Sequence, residues 1–267
     1  MAYKMIVLDL DGTLMSGTNE ILPETKAALI KAQEQGLKVV LASGRPNFGM
    51  AKAAEELRLG EFGSYKLSYN GSRIHCLKSG DTLYEQTLTP EVAHEIFDLA
   101  KEHQLNIMAY EQDGIVTMDD DAYIREEEQI NGVKIKRVED FKAAVDFNTT
   151  KVMCTGHPEV LKEAIGKFKE RIGDRFSVTR SLPFFLEIMP QNINKAYSLD
   201  KLCRHLGIDP AEVIACGDGY NDLEMIEFAG LGVAMGNAVQ ELKARADYIT
   251  ASNDENGIVQ VLEKFIS

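Results

Sequence analysis

The chain has 267 residues, 45% of them hydrophobic, and a net charge of −13 at pH 7. That apolar content supports a sizeable core and excludes a disordered chain, while the length asks for one large or two modest domains. The acidic balance argues against a nucleic-acid partner, which selects a basic face, but leaves room for a small anion in one local cationic pocket.

In chain order, Met1-Ala2-Tyr3-Lys4 leads into an apolar strand at 4–8 without a signal-like segment, and no stretch reaches the roughly 18 apolar residues of a membrane span. A cytoplasmic protein with no membrane partner is expected. The strand ends in Asp9-Leu10-Asp11-Gly12-Thr13, two carboxylates one residue apart followed by a glycine that permits a sharp turn. In extended backbone, residues i and i+2 share a face, so Asp9 and Asp11 converge on one small volume, where two like charges call for a proton or a cation. A Ca²⁺ loop is excluded, because D-x-[DN]-x-[DN]-G needs a third ligand where Thr13 stands and a glycine two residues after Gly12. Alone, the segment also reads as a polar Asp-Gly turn.

Pro23 and Glu24 open a helix that runs to about Gln35 and stops at Gly36. Strand 38–42 turns at Ser43-Gly44-Arg45-Pro46 into another helix; a small hydroxyl and free backbone N–H groups there suit an oxyanion, or simply cap the helix. Strand 66–69 ends at Asn70-Gly71, a short-hairpin signal, with strands 73–76 and 82–85 around it. From Pro90, helical patterns at 91–104, 121–130 and 158–171 alternate with short strands at 106–110, 115–118, 151–155, 176–179 and 185–188. Consecutive strands without an intervening helix predict an antiparallel α+β layer. Asp119-Asp120-Asp121 reads as a solvated helix start, with a second metal site as the alternative.

After Met189 the βα rhythm resumes, with helix 196–205, strand 213–216, helix 222–228, strand 232–234 and helical segments to the end. The expected architecture is α/β: a Rossmann-like parallel-sheet core built from 1–84 and 190–267, with an α+β domain inserted at 85–189. Strand 213–216 delivers Cys216-Gly217-Asp218-Gly219-Tyr220-Asn221-Asp222. Parallel strands end on one edge of the sheet, where ligand clefts form, so Asp218 and Asp222 join Asp9 and Asp11 there. Such oxygen-rich surroundings suit Mg²⁺; the alternative is that Asn221 or Asp222 only caps the following helix. Lys195 stands near a helix start, against the dipole, and either balances an acidic site or is a solvated surface lysine. Cys76, Cys154, Cys203 and Cys216 form no C-x-x-C pair and read as reduced thiols, and the five histidines show no ligand spacing.

These segments, in this order, resemble the haloacid dehalogenase superfamily of phosphohydrolases, and within it the Cof-type sugar phosphatases, whose large α/β cap is inserted between the second and third motifs. The matching stretches are Asp9-Leu10-Asp11-Gly12-Thr13, Ser43-Gly44-Arg45-Pro46, Lys195 and Gly217-Asp218-Gly219-Tyr220-Asn221-Asp222; Asn70-Gly71 and Met235-Gly236-Asn237-Ala238 are also similar. Ala196 departs from the family, which often has glycine after the lysine. The resemblance implies a Mg²⁺-dependent phosphatase acting on a small phosphorylated metabolite, as a monomer or weak homodimer. It implies that Asp9 is the nucleophile, forming an aspartyl-phosphate, and Asp11 the general acid/base. Mg²⁺ would be held by Asp9, the backbone carbonyl of Asp11 and Asp218, with Asp222 supporting through water or from behind. Leu10 (through its backbone), Ser43, Gly44, Lys195 and Asn221 would hold the phosphoryl oxygens. The chemistry then asks for Asp9 ionised and Asp11 protonated at the start, the latter in a hydrogen-bonded niche.

Competing readings are a phosphomutase or phosphotransferase of the same superfamily and a non-catalytic sugar-phosphate-binding protein. A carbon–halogen hydrolase has no use for an acid at Asp11. A receiver-type phospho-acceptor would be about half this length, with its acceptor Asp after a later strand.

Overall fold

Short, wholly apolar runs such as Met5–Leu8 can bury both faces, and here they become the centre of a parallel sheet. The computed structural model describes residues 3–111 and 114–266 and divides into two compact units: Met1–Tyr84 with Asn194–Ser267, and Glu85–Ile193. The first unit opens with β1 (Met5–Leu8), α1 (Pro23–Glu34), β2 (Lys38–Ala42), α2 (Ala51–Glu56), β3 (Tyr65–Ser68), β4 (Arg73–Cys76) and β5 (Thr82–Glu85). The second contains α3 (Pro90–Glu102), β6 (Asn106–Glu111), β7 (Gly114–Thr117), α4 (Ala122–Asn131), β8 (Lys134–Arg137), α5 (Phe141–Ala144), β9 (Val152–Thr155), α6 (Pro158–Ile172), β10 (Phe176–Leu182) and β11 (Phe185–Pro190). The chain then returns to the first unit with α7 (Lys195–Leu206), β12 (Val213–Gly217), α8 (Leu223–Phe228), β13 (Leu231–Ala234), α9 (Gln240–Arg245), β14 (Tyr248–Ile249) and α10 (Gly257–Phe265).

The sheet of the first unit has the order β14-β13-β12-β1-β2-β3-β4-β5, parallel from β14 to β3 and antiparallel at the β3–β4 hairpin. From β1 the chain builds outward on one side and later, through β12, on the other, so the carboxyl ends of β1 and β12 flank a topological switch point. Register makes this specific. Leu8 lies opposite Leu41 on β2 and Cys216 on β12, so Asp9, Ser43 and Asp218 leave the sheet on one edge. The pairing runs one step further, with Asp9 N–H donating to Cys216 O at 3.0 Å.

The second unit's sheet has the order β10-β11-β9-β6-β7-β8, antiparallel except for β7–β8. That parallel pair departs from the antiparallel layer expected. β8 and α5 were not anticipated: Lys134-Ile135-Lys136-Arg137 offers a single apolar residue, and its charge suits a sheet edge rather than a buried strand. One face of the sheet packs Ile107, Val116, Cys154 and Ile188 against α3 and α6. On the other, Tyr110 donates from its hydroxyl to Glu127 of α4, and Lys151 pairs with Glu187 at 3.3 Å beside the Tyr110 ring. The Asp119–Asp121 run is taken up locally: Asp119 accepts from Lys101 and Ile107 N–H, Asp120 pairs with Arg125 and Arg137, and Asp121 caps α4 through Ile124 N–H.

One buried charge is held by a backbone carbonyl. Lys66, in the middle of β3, is 4% exposed, and its Nζ donates to Asn47 O at 2.9 Å. Burial pushes its ammonium down to about 8. Because the unfolded chain binds this proton up to about pH 10.5 and the folded chain only to about pH 8, the lysine costs most stability below pH 8, and the cost fades as pH rises between the two. Lys66→Met is therefore expected to stabilise the protein by about 1–3 kcal/mol at pH 7, with a smaller gain at pH 10. Paired urea titrations at the two pH values test this; a variant no more stable than the parent at pH 7 overturns it.

Candidate active site

Asp9 directly follows β1 and is 5% exposed. Facing it is Lys195, the first residue of α7, whose start is fixed by the Asn194 side chain accepting from Tyr197 N–H at 2.7 Å. Lys195 is wholly buried rather than solvated, and its Nζ bridges Asp9 Oδ1 at 2.5 Å and Asp222 Oδ1 at 2.6 Å. The other Asp222 oxygen accepts from the Asp218 and Gly219 N–H groups, both at 3.0 Å, and so shapes the loop after β12. Asp218, half-buried, accepts from Thr13 Oγ1 at 3.2 Å. Carboxylate oxygens of Asp9, Asp218 and Asp222 all lie within 4.8 Å of one another.

Three carboxylates here face one ammonium, and the electrostatics show the excess. Burial pushes the Asp9 carboxyl up to about 8; Lys195 pulls it down while Asp222 and Asp218 push it further up. Burial, then Asp222, raises Asp218 to about 6. Burial alone would lower Lys195, but Asp9 and Asp222 outweigh it and hold the ammonium above its usual range. The excess of hard carboxylate oxygens over cationic groups, which raises both Asp9 and Asp218, fits a divalent cation such as Mg²⁺ that would take the place of the proton. Gly12 supports the same reading. Its φ of +78° is left-handed, and a Cβ there would run into the Asp218 carboxylate, so glycine at this position lets Asp218 close over the Asp9 turn.

Asp11 takes a different place. Its side chain is exposed, outside the carboxylate cluster, and both its oxygens are held by Arg45: Nε to Oδ2 at 2.9 Å and the terminal nitrogen to Oδ1 at 2.5 Å. Arg45 also reaches Asn19 Oδ1 at 3.0 Å. Instead of a niche for a protonated acid, Asp11 has a guanidinium fork that binds the carboxylate. Ser43 is buried and accepts at Oγ from Arg45 N–H at 3.1 Å; Leu10 is buried, with its carbonyl accepting from Met15 N–H at 2.8 Å. Gly44 lies against the Asn70 amide, which accepts from the exposed Asn221 Nδ2 at 3.0 Å. Every residue that the resemblance assigned to catalysis, metal or phosphoryl binding thus lies in the first unit, at the ends of β1, β2 and β12 or the start of α7, whereas Asp119–Asp121 lie in the second.

Three residues here were given no part in the site by sequence. Arg45 stood inside a quoted motif, but nothing in its spacing shows where a long guanidinium goes. Asn70 stood in a segment read as a hairpin turn and as a family likeness, with no role given to its side chain. Asn237 donates to Gly12 O at 2.8 Å from a loop that showed only a family likeness.

The model of the haloacid dehalogenase-like hydrolases matches residues 6–262. The chain belongs to this family. A solved haloacid dehalogenase-like hydrolase from Bacteroides thetaiotaomicron is 43% identical with a TM-score of 0.94, covering 98% of this chain and 99% of that one. The solved subclass IIB sugar phosphatase BT4131 is 26% identical with a TM-score of 0.80, covering 98% of both chains. The 5-amino-6-(5-phospho-D-ribitylamino)uracil phosphatase YcsE of Bacillus subtilis (strain 168) is 32% identical over 264 residues, 98% of this chain and 96% of that protein. The mixed α/β fold agrees with these neighbours, and the class of this hydrolase is phosphoric monoester hydrolase. Among the described residues, no helix is long and apolar enough to cross a membrane.

Proposed function

We propose that this hydrolase releases inorganic phosphate from a small phosphorylated metabolite through an aspartyl-phosphate on Asp9, with Mg²⁺ as cofactor. The observation that carries the reading is the buried Lys195 bridging Asp9 and Asp222 beside Asp218. Lys195 occupies one Asp9 oxygen, opposing its protonation and fixing the orientation of the carboxylate. Asp9 attacks phosphorus, the bond to the leaving oxygen breaks, and Asp11 gives that oxygen a proton. Asp11 then takes a proton from the water that attacks the acyl phosphate, and phosphate leaves. Asp11 cannot donate while Arg45 holds both its oxygens, so the Arg45 fork describes a resting arrangement; it opens, and Asp11 takes up a proton from solvent, before Asp11 acts as the acid. Ser43, Gly44, Asn221 and the Leu10 backbone hold the phosphoryl oxygens. Mg²⁺, held by Asp9, Asp218 and the Asp11 carbonyl with Asp222 behind them, would neutralise phosphoryl charge.

The names of the relatives point to phosphomonoesters of sugars or polyols: a sugar phosphatase for BT4131, a phosphoribitylamino compound for YcsE. The test is a screen of sugar phosphates, ribitylaminouracil phosphate, flavin mononucleotide and pyridoxal phosphate with Mg²⁺, with Asp9→Asn as the blank. Free phosphate that disappears with a chelator is expected. Phosphate appearing on an added acceptor instead would make the protein a phosphotransferase, and silence on every ester would favour a binding protein.

A further inference from the structure

Between β3 and β4 the backbone does something that a short hairpin does not require. Tyr69, Asn70 and Gly71 are all left-handed, with φ of 53°, 54° and 97°. Asparagine and glycine tolerate this region, but a bulky tyrosine does not adopt it without compensation from its surroundings. The compensation is visible. Tyr69 N–H donates to Arg45 O at 3.0 Å and Asn70 N–H to Ser43 O at 2.9 Å, so two hydrogen bonds bracket Gly44. Ser198, one turn along α7 from Lys195, donates from its hydroxyl to Gly71 O, and a Cβ at Gly71 would collide with Ser198 Oγ and Asn194 O.

The side chain that this backbone presents is Asn70. Its amide atoms lie 3.2–3.5 Å from where a Cβ on Gly44 would stand, and its Oδ1 accepts from Asn221 Nδ2 at 3.0 Å. A carboxamide is planar, so fixing one N–H of Asn221 fixes the direction of the other. The segment therefore touches the turn after β2, the start of α7 and the loop after β12 at once.

We infer that Asn70 is a positioning residue for the phosphoryl site: its side chain aims the Asn221 amide, while its backbone N–H holds the Ser43–Gly44 turn. This rests on the phosphatase reading. The test uses Asn70→Gly, which keeps left-handed backbone accessible and removes only the amide, measured with p-nitrophenyl phosphate, orthovanadate and Mg²⁺. On the order of a 10- to 100-fold loss in kcat/KM and in orthovanadate affinity is expected, with Mg²⁺ affinity in calorimetry unchanged, because Asn70 touches none of the three clustered carboxylates. In an Asn221→Ala background the same change is expected to cost less than threefold, since its target is gone. A general loosening of the fold would lower Mg²⁺ affinity too and leave the two losses additive, and either result overturns the inference. If the parent protein neither cleaves the ester nor binds orthovanadate, the phosphatase reading itself fails; if it does both and Asn70→Gly equals it, only the role of Asn70 falls.

Discussion

Asp9→Asn is expected to lower Mg²⁺-dependent phosphate release by about 10⁴-fold or more while the protein stays folded. The reasoning is local. An amide is isosteric with the carboxylate, so it still accepts from Lys195, but its nitrogen is no nucleophile and no acyl phosphate can form. Lys195 keeps Asp222 as a counterion, so no buried charge is left alone. Phosphate release measured beside far-ultraviolet circular dichroism separates chemistry from folding. Undiminished release by the variant would sink the nucleophile assignment, and with it the order of events at Asp11.

Lys195→Met carries the largest expected effect on stability. The methionine fills much of the same volume, but Asp9 and Asp222 would then face each other, nearly buried, with their shared cation gone. Removing one partner from a buried ionic cluster costs about 3–5 kcal/mol, which corresponds to a melting point lower by roughly 10 °C for a unit of this size. Added Mg²⁺ should recover part of this loss, because a divalent ion supplies positive charge where the ammonium was. Thermal melts of parent and variant, each with chelator and with Mg²⁺, decide the matter. A variant as stable as the parent with chelator present would show that the two carboxylates are relieved in some other way.

Much of the site was legible because its chemistry is concentrated at strand ends. Asp9 and Asp218 each follow an apolar run that can only be a buried strand, and neighbouring parallel strands must end on the same edge. Lys195 was not legible in this way. Nothing local distinguishes a lysine at a helix start from a solvated one; its burial follows from α7 packing where Asp9 and Asp222 already lie. Arg45 and Asn70 failed for a related reason. The reach of Arg45 to Asp11 and of Asn70 to Asn221 joins residues 34 and 151 positions apart, and no periodicity encodes such contacts. β8 and β14 were missed because an edge strand of charged residues and a two-residue strand carry almost no apolar signal.

By itself, the sequence determined that a parallel α/β sheet would present two acidic turns on one edge, because hydrophobic periodicity and glycine turns are local properties. Only the tertiary structure decided how the charges there are divided: Asp9 and Asp222 share one buried ammonium, Asp218 closes over Gly12, and Asp11 turns outward to Arg45. Which of several carboxylates meets which cation depends on distances set by packing between segments remote in the chain, and Coulomb energies at those distances, not residue order, fix the outcome.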